Sequence, residues 1–65
     1  MCVKIVELIG NSSKSFEDAI ADGVKRAGKT IRGINGVDVI GQTAVVEDNK
    51  IVEFRVNMKV AFKVE

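Results

Sequence analysis

The residues of this 65-residue chain that could do chemistry are few and scattered. Arg55 stands among polar and apolar residues in strict alternation and could donate to a carbonyl or a phosphate, or stack by its guanidinium plane. An equally simple reading makes it a solvated residue paired with Glu53 or with Asp38 of a neighbouring copy. Glu47, Asp48 and Asn49 cluster hard oxygen ligands of the kind calcium or magnesium takes, and the same run reads as a polar hairpin turn. Glu47 and Asp48 are therefore the candidate metal ligands, with copies meeting on a symmetry axis completing a shell that one chain cannot. Lys4, Arg55, Lys59 and Lys63 could line one sheet face, but no exposed aromatic residue interleaves them, so nucleic acid is not expected as a partner. Gly33-Ile34-Asn35-Gly36 has the glycines of a phosphate loop but follows a helix instead of opening one.

What is missing excludes more. There is no histidine, no nucleophile elbow and no pair of carboxylates on one periodic face, so the chain is not expected to be an enzyme. Zinc wants four nitrogen or sulfur ligands, and Cys2 is the only cysteine. A lone thiol also forbids an internal disulfide and fits a reducing compartment. Net charge is +1, which gives no bulk pull toward nucleic acid or membrane. The apolar run Val3–Ile9 is short and broken by Lys4 and Glu7, so neither a signal peptide nor a membrane span is expected, and the cytoplasm is the expected location.

These residues must be positioned by a small α+β unit, expected to be a single domain over 1–65. From Val52 to Val64, thirteen positions, Val52, Phe54, Val56, Met58, Val60, Phe62 and Val64 fall on one side. Glu53, Arg55, Asn57, Lys59 and Lys63 fall on the other, the period of a strand with one dry and one wet face. Such a strand spans about 43 Å. Cys2–Ile9 reads as a first strand, with Val6 and Leu8 to one side and Ile5 and Glu7 to the other. Gly10-Asn11-Ser12-Ser13 reads as turn chemistry before a helix, with Ser12, Ser13 or Ser15 able to cap it.

Phe16, Ile20, Val24, Ala27 and Ile31 make one apolar stripe along a helix from about Lys14 to Arg32, stopped by Gly33. Gly23 inside it either marks a close approach to the sheet or is merely tolerated. Val37–Val46 is a second strand with a bulge or bend at Gly41. The order is β-α-β-β. A right-handed crossover leaves the slot between strands one and two for strand three, which gives a three-stranded antiparallel sheet of order 1-3-2 under one amphipathic helix. A helix of about 28 Å cannot cover so long a sheet. A chain this small is marginal alone, and with disulfides and zinc excluded, oligomerisation is the economical remedy.

In the order and spacing of Val6-Glu7-Leu8-Ile9-Gly10, Ser13, Ser15-Phe16-Glu17-Asp18-Ala19, Arg26-Ala27, Thr30 and Val60-Ala61-Phe62-Lys63-Val64, the chain resembles the dodecins. Dodecins are very small β-α-β-β proteins that form hollow dodecameric shells. The resemblance implies a homododecamer that binds or stores a small ligand without catalysis. The ligand would be a flavin (riboflavin, FMN or FAD) or a related nucleotide cofactor. It also implies ligand-binding positions at Gly36, Val37, Asp38 and Arg55. The chain departs from the pattern at two of them. Gly36 stands where dodecins stack the flavin on a tryptophan, and Arg55 stands where a glutamine meets its polar edge. These departures keep other readings open. One is a dodecin-like cage that binds metal ions or coenzyme A, or serves only as an assembly. Another is a small dimer or trimer with a peptide-binding sheet edge.

Overall fold

The computed structural model describes residues 2–64. Its elements are β1 (Cys2–Ser12), α1 (Phe16–Ala27), β2 (Ile34–Glu47) and β3 (Lys50–Val64). The sheet has the expected order β1-β3-β2 with both pairings antiparallel. β3 is central, and the middle of its apolar face carries Val56, Met58 and Val60 into the core.

α1 lays Phe16, Ala19, Ile20, Gly23, Val24 and Ala27 toward the sheet, and the buried centre is Ala19, Val56, Met58 and Val60. Val6, Leu8, Ile34 and Val37 pack round it. Two glycines let the helix sit close. A Cβ at Gly10 would lie 2.1 Å from the Ala19 carbonyl oxygen, and one at Gly23 would lie 2.9 Å from Met58 Cε, so Gly23 does mark a close approach. Phe16 meets Phe54 edge-on, with ring centres 4.9 Å apart, and seals the N-terminal end of this core.

The structure corrects the expected boundaries. β1 does not stop at Ile9. Gly10, Asn11 and Ser12 continue the ladder opposite Val56, Arg55 and Phe54, because pairing with a long central strand outweighs their turn preference. The cap is Ser15, whose Oγ accepts the Asp18 N–H at 3.0 Å. Ser12 does something else: its hydroxyl donates to Asp18 Oδ2 at 2.6 Å and accepts the Lys14 N–H at 2.9 Å.

The helix ends at Ala27, not Arg32. Past this end, the amides of Thr30 and Ile31 both return to the Ala27 carbonyl in a closing turn, and Ile31 lies outside the helix. Gly33 is left-handed (φ +77°) as a stop residue would be, but it sits in the loop entering β2, where its carbonyl accepts the Lys63 N–H at 3.0 Å. β2 begins earlier than expected, at Ile34, and its register shifts between Val39 and Gly41, with Ile40 as the extra residue. Asp48 and Asn49, both left-handed, form a two-residue hairpin loop of the type I′ pattern.

Helix and sheet therefore differ in length more than the sequence suggested. Twelve helical residues reach about 18 Å, while the molecule is 48 Å long. α1 packs on β1 and β3. Past its ends and beside it, Val39, Val46, Ile51 and Val52 stay exposed. The opposite face, expected to be wet, is only partly so: Val3, Ile5 and Ile9 stand exposed on it, Ile9 by 64 %. Among the described residues no helix is long and apolar enough to cross a membrane.

Candidate functional site: the open face of the sheet

Of the cations expected together, Lys4 pairs with Phe62 on the helix side, and the face away from α1 collects Arg55, Lys59 and Lys63, because alternation along the paired strands sends them one way. Its rows follow from the register. Asn11, Arg55 and Thr43 form one row, Ile9, Asn57 and Gly41 the next, then Glu7, Lys59 and Asp38, then Ile5, Ala61 and Gly36. Lys59 thus lies between two carboxylates. Gly36 and Gly41 leave bare backbone at the β2 side. A Cβ at Gly36 would meet only Ala61, at 3.9 Å, and one at Gly41 would meet nothing within 4 Å.

Three of the four residues implied as ligand-binding are on this face: Gly36, Asp38 and Arg55. Val37 is not. It pairs with Val60 on the helix side and packs against the core. Nor are Gly36 and Arg55 neighbours within one chain. Gly36 pairs with Ala61, six residues from Arg55 along β3, which is about 20 Å.

Arg55 is held by its own strand. Its Nε donates to Glu53 Oε2 at 2.7 Å, and Asn11 Nδ2 donates to the same oxygen at 3.5 Å. The hydrogen bond from Arg55 holds the Glu53 carboxyl below its ordinary range, against an opposing push from partial burial, with Asn11 assisting. The same bond raises the Arg55 pKa further. Half of the Arg55 side chain remains open to solvent. Beside this pair, Asn11, Ser12, Ser13, Val52 and Glu53 line a shallow cleft of about 300 Å³. Asn11 and Glu53 escaped the sequence reading as site residues, since Asn11 was assigned to a turn. The polar alternation of β3 already placed Glu53 beside Arg55.

Glu47 and Asp48 are exposed at the β2–β3 hairpin tip, with Glu47 opposite Lys50. Among the described residues no group of three or more histidine, cysteine or carboxylate side chains is placed to hold a metal ion. Cys2 is exposed, opposite Val64 at the end of the sheet.

A three-stranded 1-3-2 sheet under one short helix, with a polar, glycine-floored outer face, defines a small dodecin-type protomer. The dodecin family model matches residues 2–65, and the chain belongs to the dodecin family. It is 33 % identical over 60 residues to the calcium dodecin of Mycobacterium tuberculosis, covering 92 % of this chain and 84 % of that protein. The crystal structure of that antigen, described with a novel calcium-binding site, superposes with a TM-score of 0.86 at 31 % identity, over 100 % of this chain and 93 % of the other. The dodecin of Streptomyces coelicolor superposes more closely, with a TM-score of 0.95 at 25 % identity, over 98 % of this chain and 91 % of the other.

Proposed function

We propose that this chain is a non-catalytic small-ligand binding or storage protein that works as a closed homo-oligomeric shell in the cytoplasm, with the dodecamer as its form. One observation carries the reading: Gly36 and Arg55 share a face but lie about 20 Å apart along the sheet. A single planar cofactor ring can meet both only if they come from different copies. The exposed Val39, Val46, Ile51 and Val52, and the separate stripe of Val3, Ile5 and Ile9, supply the apolar surface for such contacts.

In this reading the ligand is a flavin or related nucleotide cofactor. It lies on the bare backbone at Gly36, with Asp38 beside it, Val37 bracing the strand from below, and Arg55 of another copy donating to its polar edge. Losing an aromatic platform forfeits about 0.5–1.5 kcal/mol per stacked pair beyond buried area, so affinity is expected in the micromolar range. Purified protein is mixed with riboflavin, FMN and FAD, and retention by an ultrafilter is measured. Retention at micromolar concentrations supports the reading, and passage of all three flavins through the filter refutes it.

A second reading is favoured by the likeness to a calcium dodecin. Here the ligand is calcium, held where hairpin tips of several copies bring Glu47 and Asp48 together. Equilibrium dialysis with calcium tests it. Glu47→Gln with Asp48→Asn should abolish uptake, and uptake by that double variant at the wild-type level sinks the assignment.

A further inference from the structure

Gly36 does more than leave bare backbone at the β2 side: it gives Asn35 a successor without a side chain. Of the four asparagines, Asn11 precedes Ser12, Asn49 precedes Lys50 and Asn57 precedes Met58, so Asn35 is alone in this. The difference is chemical. The backbone nitrogen of the next residue can attack an asparagine at Cγ and close a five-membered ring. A Cβ on that next residue crowds the attack and restricts the backbone, and glycine does neither.

The fold leaves the reaction room. Asn35 is exposed. The register of β2 on β3 passes from Ile34 opposite Phe62 to Gly36 opposite Ala61, so Asn35 is the extra residue of a bulge and has no partner on β3. β2 is an edge strand, and Gly33, just before it, is left-handed at φ +77°. Asn11 and Asn57, by contrast, sit in the ladder opposite Arg55 and Ile9. Asn49 is exposed in the hairpin loop, but Lys50 follows it.

We propose that Asn35 is a self-modification site, deamidated by its own chain through Gly36 and converted to aspartate and isoaspartate. The Gly36 nitrogen gives its proton to hydroxide and forms a bond to Asn35 Cγ. The Cγ–Nδ2 bond breaks, Nδ2 leaves as ammonia with a proton from water, and a succinimide remains. Water then opens the ring. Breaking the new Cγ–nitrogen bond restores the main chain with an aspartate, whereas breaking the bond from the Asn35 main-chain carbonyl to that nitrogen routes the chain through Cγ as isoaspartate. Water is the only co-reactant. One new carboxylate takes the net charge of the chain from +1 to zero, a balance that favours association. It also arises beside Gly36, Val37 and Asp38, so the reaction ages the β2 end of the open face.

The folded protein is held at body temperature in buffers from mildly acidic to mildly alkaline, and its peptides are mapped by mass spectrometry at intervals. The Asn35 peptide should gain the mass of an amide-to-acid change, as separable aspartyl and isoaspartyl forms, and faster as pH rises. It should react ahead of the Asn49 peptide by about tenfold, which is about 1.4 kcal/mol on the barrier. Gly36→Ala should slow the Asn35 reaction by a similar factor. That variant should fold, since a Cβ at Gly36 meets only Ala61, at 3.9 Å. Isoelectric focusing of aged wild type should show a more acidic band that aged Gly36→Ala lacks. If Asn35 of the folded protein keeps its amide as long as Asn49 does, the proposal is overturned, even where denaturant releases the reaction, because the bulge then protects the site. Equal rates in wild type and Gly36→Ala overturn the route through Gly36. Should the alanine variant not fold, the comparison of Asn35 with Asn49 in the wild type decides.

Discussion

At the scale of single residues, the polar contact that shapes the open face is the 2.7 Å bond from Arg55 to Glu53. The folded carboxylate has a pKa below its ordinary value of 4.5, chiefly because Arg55 donates to it. A depressed carboxylate stabilises the fold above its unfolded pKa and ceases to do so as pH falls through the folded pKa. The melting temperature of the wild type should therefore exceed that of Glu53→Gln at neutral pH, with the gap closing as pH drops below about 4.5. Both groups reach solvent, so the gap should be small and should shrink with salt. A gap that persists unchanged at pH 2 would show that glutamine perturbs something other than this charge pair. Alternation offered Glu53 as one of two carboxylate partners for Arg55, with Asp38 of a neighbouring copy the other, and the structure pairs it with Glu53. Asn11, the third member, was hidden because an asparagine after glycine reads locally as a turn, and only the length of β3 decides otherwise.

At the scale of elements, the helix–sheet contact is set by two glycines that differ in what surrounds them. A Cβ at Gly10 would strike backbone, the Ala19 carbonyl, whereas one at Gly23 would press the flexible tip of Met58. Gly10→Ala should cost several kcal/mol or prevent folding, because the helix must lift off β1. Gly23→Ala should cost far less, since alanine gains about 1 kcal/mol of helix propensity against a shifted Met58 side chain. Denaturant unfolding of the two variants checks the order, and equal losses would mean that the helix does not sit on Gly10 as closely as the structure has it. Ser15→Ala should cost about 1 kcal/mol through loss of the cap, with Ser13→Ala near neutral. The three strands, their order and the helix were readable because period 2 and period 3.6 are unambiguous over long runs. The helix end was not. Ile31 continues the apolar spacing, yet it belongs to a turn closed on the Ala27 carbonyl, which spacing alone does not reveal.

At the scale of the whole molecule, a helix of about 18 Å on a molecule 48 Å long leaves sheet that one copy cannot cover. The long last strand announced this in the sequence, through thirteen alternating residues. The apolar stripe of Val3, Ile5 and Ile9 on the outer face was less visible, because Glu7 interrupts it and the face was expected to be wet. Two separate apolar surfaces suit an assembly with more than one kind of contact. Ile51→Glu and Ile9→Glu should each reduce the particle to smaller species on size exclusion, and if both elute as the wild type does, neither surface is an interface. The most direct test of assembly is the particle's mass by light scattering at micromolar concentration without added ligand. Twelve copies of a 7.0 kDa chain predict about 84 kDa. A stable 7.0 kDa monomer would contradict the shell, and with it the cofactor site shared between copies.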